Sequence, residues 1–137
     1  MEATTSRLPK PNNVVVVPTP KMSEFFRQWC IFLRPFVELT DRELDVMSGF
    51  LEQRWEMSQS VSDPAVLDTL MMSREVKKKV IERCNITVKH FYVVISNLRK
   101  KHIIKGNTIN PRLIPNIRKD DNGVFQLLIL FKDNKLS

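Results

Sequence analysis

The sequence predicts an α+β chain, mainly α, that ends in a β-hairpin. Three observations carry this expectation. Apolar residues recur at helical spacing from residue 23 to about 101, with a capping residue at nearly every break. The period then changes to short apolar runs interrupted by Gly106, Pro111 and Pro115. Last, Asn122-Gly123 marks a tight turn before the run VFQLLILFK. At 137 residues, 42% hydrophobic and 27% charged, the chain is long enough to bury one core. Its pattern divides into an arm (1–22), an aromatic amphipathic helix (23–38) and a compact unit (39–137).

The arm begins MEATTSRLPKPNN, which is polar and has no core-forming pattern. Val14, Val15, Val16 and Val17 follow; β-branching favours an extended backbone, and Pro18 and Pro20 hold it extended while removing donors. Such a segment suits addition to the sheet edge of a partner. Next, Phe25, Phe26, Trp29, Phe32, Leu33 and Phe36 recur at helical spacing. Ser23 is placed to cap this helix, and Pro35 to kink it or end it near Leu33. Its aromatic side chains either pack on the chain's own core or dock on a neighbouring subunit; in the second case Phe25, Phe26, Trp29 and Phe32 join the four valines as docking residues. Mixed flanking charge argues against a membrane-surface helix.

Thr40 and Glu43 have the spacing of a capping box, with Leu39 and Leu44 as its hydrophobic staple, so a helix starts there and runs to about Trp55. The stretch 56–62 reads as a loop. Asp63 caps a short helix that has Pro64 at its first position. Ser73 caps a helix over 74–83 that buries Val76, Val80 and Ile81 and exposes Lys77, Lys78 and Lys79. Asn85 is suited to a left-handed break, and Thr87 caps a helix over 88–101. Two helices joined by so short a turn are the pattern of a helix-turn-helix, here without the usual turn glycine. With a hairpin after it, the whole is a winged helix.

Turning 100° per residue from a core direction through Phe91, Ile95 and Leu98, the opposite face of the 88–101 helix carries Lys89, Val93, Ser96 and Lys100, with His90 and Asn97 at its margin. In a major groove, Asn97 can pair with adenine, Lys89 or Lys100 with guanine or phosphate, and Val93 with a thymine methyl. Lys77, Lys78, Lys79, Lys101 and Lys105 would then hold phosphates. The same face also fits a protein contact, since the helix starts Val88-Lys89-His90 rather than with Arg, Asn or Gln; a merely solvated surface is the third reading.

Charge is uneven along the chain. The net charge is +7, yet residues 38–68 carry eight acids against two arginines, and residues 74–105 carry ten bases against two glutamates. A bipolar chain suits a phosphate backbone on its basic side, or head-to-tail association of subunits. Cys30 and Cys84 have no metal or disulfide spacing and read as core thiols in a reducing compartment. His90 and His102 pair with no ligand-spaced partner, and three glycines form no phosphate loop. No cofactor, metal, catalytic group or small-molecule substrate is therefore expected. No apolar run is long enough to span a bilayer, and no signal-peptide pattern opens the chain. In the expected final strand, Phe125, Leu127, Ile129 and Phe131 form one face while Leu128 and Leu130 make the other apolar too, so something should cover it.

Residues 39–132 resemble small winged-helix proteins of tailed bacteriophages, through LTDRELDVM, REVKKKVIERCNIT, SNLRKKHIIKG, INPRLIP and FQLLILFK. The arm, the aromatic helix, the two-sided apolar final strand and the bipolar charge point to a non-enzymatic structural or adaptor protein, and the resemblance implies its setting: a phage particle, in the portal or collar region, located in the virion or the bacterial cytoplasm. Its partners would be protein subunits, of its own kind or adjacent to the portal, with double-stranded DNA as a further contact and no membrane. The alternative is a winged-helix DNA-binding transcriptional regulator.

Overall fold

The computed structural model describes residues 14–19, 21–127 and 132–133. Five helices lie among them: α1 (Met22–Val37), α2 (Asp41–Ser58), α3 (Pro64–Leu70), α4 (Arg74–Cys84) and α5 (Val88–Lys100). After α5 come two short antiparallel strands, β1 (Ile104–Lys105) and β2 (Thr108–Ile109), in the register Ile104↔Ile109 and Lys105↔Thr108. A 3₁₀ turn, Pro111–Leu113, follows. The fold is thus α+β and mainly α, as the sequence predicts.

Local chemistry sets most of the breaks. Thr40 Oγ1 accepts from Glu43 N (3.2 Å) and Glu43 Oε1 accepts from Thr40 N (3.0 Å), which completes the capping box of α2. Asp63, Ser73 and Thr87 each accept a backbone N–H at the start of α3, α4 and α5. The ends of α4 and α5 use left-handed residues that are not glycine: Asn85 (φ 52) and His102 (φ 62). In both, the following isoleucine N–H reaches back five residues, Ile86 to Ile81 O and Ile103 to Leu98 O, closing a Schellman turn. Gly106 (φ 62) takes the first of the two loop positions between β1 and β2, where a side chain would be strained.

Helix α2 is the centre of the packing. Every residue from Glu43 to Leu51 except Asp45 is buried, and the helix packs against α1 on one side and α4 and α5 on the other. Gly49 lets α4 come close: a Cβ there would sit 3.2 Å from Val80 Cγ1. Phe50 and Phe91 meet with ring centroids 6.0 Å apart, both fully buried; each contributes roughly 1.5–3 kcal/mol by leaving water.

Four sequence expectations change here. Helix α1 does not start on Ser23; Lys21 stands at its N-cap with no side-chain cap bond. Nor does α1 end near Leu33, because it runs through Pro35 to Val37. The proline falls in the last turn, where it removes a single helix bond. Burial of Leu33 and half-burial of Val37 hold that turn, as do the bonds from Arg34 to Leu39 O (2.7 Å) and Asp41 (2.5 Å). Helix α2 continues one turn beyond Trp55, through part of the expected loop, because Trp55 and Met57 still pack on the core. Finally, residues 124–127 form no strand, while the rest of VFQLLILFK apart from Lys132 lies outside the described residues. The turn at Asn122-Gly123 is present and centres on Asp120, whose carboxylate accepts from Asn122 N and Val124 N, whose N–H donates to Val124 O and whose carbonyl accepts from Gly123 N. Among the described residues no β-ladder extends from it, and Phe125 packs edge-on against Phe25 of α1 (5.0 Å). Among the described residues the one hairpin is the smaller one at 104–109.

Helix α1 is part of the core, with Phe26, Cys30 and Leu33 buried in the same cluster as α2 and α5. Burial pushes the Cys30 thiol up to about 12, against the opposing pull of Arg83 and Arg27. A thiol reagent applied to the native protein should leave Cys30 unmodified and label it once urea is added. Rapid native labelling would show that α1 is detached. The sign of the linkage follows: the unfolded thiol ionises first, so stability should fall as pH rises from 9.0 towards about 12.

Candidate nucleic-acid interface

Helices α4 and α5 and the three residues between them form the most basic surface. Val76 and Val80 bind α4 to α2, and Phe91, Val94, Ile95 and Leu98 bind α5 to the core. Those anchors fix the rotation of α5. Lys89, Val93, Ser96 and Lys100 consequently face solvent together with His90, while Asn97 is half-buried. Lys78 and Lys79 are exposed on α4, and Lys105 on β1. Lys77 is half-buried, its Nζ 5.4 Å from the centre of the Tyr92 ring. Arg99 is tied to the hairpin loop, donating to Gly106 O (3.1 Å) and Asn107 Oδ1 (3.4 Å).

Lys101 does not belong with the phosphate-holding lysines. Its Nζ donates to Glu43 Oε1 and to Glu38 O, both at 2.6 Å. The end of α5 lies over the start of α2, where the capping-box carboxylate is buried and needs a counter-charge. Phe26 is likewise withdrawn from the docking residues, being buried in the core at 2% exposure. Phe25 is half-buried between Phe26 and Phe125. Trp29 is half-buried as well, its Nε1 donating to Leu113 O (2.8 Å). Phe32 is exposed, beside Trp29 on one side and Phe36 on the other. Val14 to Val17 are exposed and belong to no helix or strand.

The ion pairs answer the question of the bipolar charge. Asp41 pairs with Arg34, Asp45 with Arg27 and Arg42, Glu43 with Lys101, Glu52 with Arg83, and Asp68 with Arg54. Five of the eight acids in 38–68 are thereby engaged within the fold. The Arg34 hydrogen bond, more than its charge at a distance, holds the Asp41 carboxyl below its usual range. From the basic segment, only Arg83 and Lys101 take part in these pairs. Positive charge therefore dominates the outside of α4 and α5.

Sequence reasoning named Phe36 and Val88 only as parts of their helices and did not carry Tyr92 or Arg74 into the contact residues. Tyr92 and Val88 are exposed at 49% and 58%, and with Arg74, Lys77, Lys78, Ile81 and Glu82 they line a groove of about 550 Å³ between α4 and α5. The signal for Tyr92 is its place 100° from the core direction of α5, a margin where one exposed aromatic is easily missed. Phe36, exposed at 63%, follows Phe32 at helical spacing. No group of three or more His, Cys, Asp or Glu able to hold a metal ion occurs among the described residues, and no helix among them is long and apolar enough to cross a membrane. Protein-family models, curated proteins and solved structures give no match to this chain.

Lys101→Ala should lower stability by about 2 kcal/mol in urea unfolding, because it leaves a buried carboxylate without its counter-charge. Lys100→Ala, one residue away and solvated, should change stability by less than about 0.5 kcal/mol.

Proposed function

We propose that this chain is a winged-helix protein without enzymatic activity that binds double-stranded DNA through α5 and docks on protein subunits through its arm and the Phe32–Phe36 flank of α1. The setting we propose, from the resemblance to phage winged-helix proteins, is an adaptor of a tailed-phage particle near the portal or collar. The observation that carries the reading is the internal engagement of the acids of 38–68. It leaves Lys78, Lys79, Lys89, Lys100 and Lys105 exposed around a helix whose outward face is already oriented by its buried one. DNA presents a dense array of phosphates, and clustered lysines bind it by releasing counterions. The same engagement weakens head-to-tail charge pairing as the route to assembly. Apolar contact through Val14–Val17, Phe32 and Phe36 is the stronger route.

The small hairpin stands where a wing is expected, with Lys105 beside its Gly106-Asn107 loop. A transcriptional regulator is the second reading, favoured by Asn97 and His90 at the margin of the outward face, where base edges can be reached.

The test is the binding of a labelled duplex across a salt series. Affinity should fall linearly on a log–log plot, and Lys89→Ala combined with Lys100→Ala should flatten the slope by about 1.8, or roughly 0.9 for each phosphate no longer neutralised. An adaptor binds unrelated duplexes alike, whereas one strongly preferred sequence favours the regulator. Absence of duplex binding at low salt overturns both. Mass spectrometry of purified particles tests the setting, and absence of the chain from them counts against the adaptor.

A further inference from the structure

The groove between α4 and α5 differs in chemistry from the outward face of α5. Tyr92, the one tyrosine of the chain, is 49% exposed and lines it. Its ring meets the Phe91 ring edge-on (5.4 Å), and Phe91 is fully buried, so the core holds Tyr92 from one side. The Lys77 ammonium lies over the ring, and Arg74 and Lys78 line the same groove beside apolar Val88 and Ile81. An aromatic face set among cations is not a device for reading a closed duplex, whose bases already stack on one another and offer only their edges. It suits a base that is unpaired, with its neighbouring phosphates on the lysines.

We infer that this groove is a binding site for single-stranded nucleic acid, in which Tyr92 stacks on one unpaired base while Arg74, Lys77 and Lys78 hold the flanking phosphates. The inference rests on the reading of α4 and α5 as a nucleic-acid surface. The groove, at about 550 Å³, is of the size of a small-ligand site and large enough for a planar base. An acidic peptide is the other polyanion with apolar parts, but two features favour a nucleic acid. Further exposed lysines, Lys89 and Lys100, lie on α5 outside the groove, where more phosphates of a longer strand can be met, and Glu82 in the groove disfavours a dense run of carboxylates.

The experiment compares a labelled oligo-dT strand, a blunt duplex of equal length and a labelled poly-Glu peptide, using the full chain and the variants Tyr92→Leu and Tyr92→Phe. Circular dichroism confirms that each variant is folded. Tyr92→Leu should weaken the single strand roughly 5- to 100-fold and leave the duplex within about two-fold, while Tyr92→Phe, which keeps the ring, should bind the single strand nearly as well as the parent. Duplex binding without single-strand binding overturns the groove and leaves the proposed function standing; binding of neither strand form overturns both. The groove is also overturned if Tyr92→Leu leaves the single strand unaffected, if it weakens both strand forms alike, or if Tyr92→Phe loses as much as Tyr92→Leu. Binding of poly-Glu as tight and as dependent on Tyr92 as that of oligo-dT assigns the groove to peptides and overturns the inference.

Discussion

Glu43 is 3% exposed, and a carboxylate so placed needs hydrogen bonds and a counter-charge. It accepts from Thr40 N, which starts α2, and from Lys101 Nζ, which ends α5. Lys101 in turn donates to Glu38 O, the carbonyl at the end of α1. One node therefore joins the end of α1, the start of α2 and the end of α5. The apolar core supplies far more free energy, yet it is less directional. What the node adds is register: it fixes where α5 stops relative to α1 and α2.

The other ion pairs extend the same logic along α1 and α2. Arg27 and Arg34 lie on the side of α1 that meets Asp45 and Asp41, while Phe25 and Trp29 lie on the side that meets Phe125 and Leu113 O. The helix is held by charge along one edge and by aromatic contact along the other. Pairs this exposed contribute little individually. Their larger consequence is for the field outside the protein. A linear count shows an acidic half and a basic half; in three dimensions the acids meet arginines and a lysine from other helices, and the lysines of α4 and α5 keep their charge for solvent or a partner.

Much of this was legible in the sequence wherever a residue acts on its own backbone. Thr40, Asp63, Ser73, Asn85 and Thr87 each placed a helix boundary, because capping and left-handed geometry are decided within a few residues. The outward face of α5 was legible too, since its period left one arrangement for Phe91, Ile95 and Leu98. What escaped depended on residues distant in the chain. Nothing near Lys101 announces Glu43, 58 positions away. Pro35 is a helix breaker by local rule, and only the packing of Leu33 and Val37 with the bonds of Arg34 carries the helix past it. The segment from Val124 is apolar on both faces, as a covered strand is, but residues 124–127 form no strand, and Phe125 packs on Phe25 of α1.

The central claim is that five of the eight acids of 38–68 are paired within the fold, so that charge does not drive the chain to associate with itself. Sedimentation velocity at one protein concentration, repeated from low to high salt, tests this most directly. The account predicts one sedimentation coefficient throughout, because association through apolar side chains does not dissolve when charges are screened. Larger species at low salt that disperse as salt is added would show an acidic face still open to a basic one, and would contradict it.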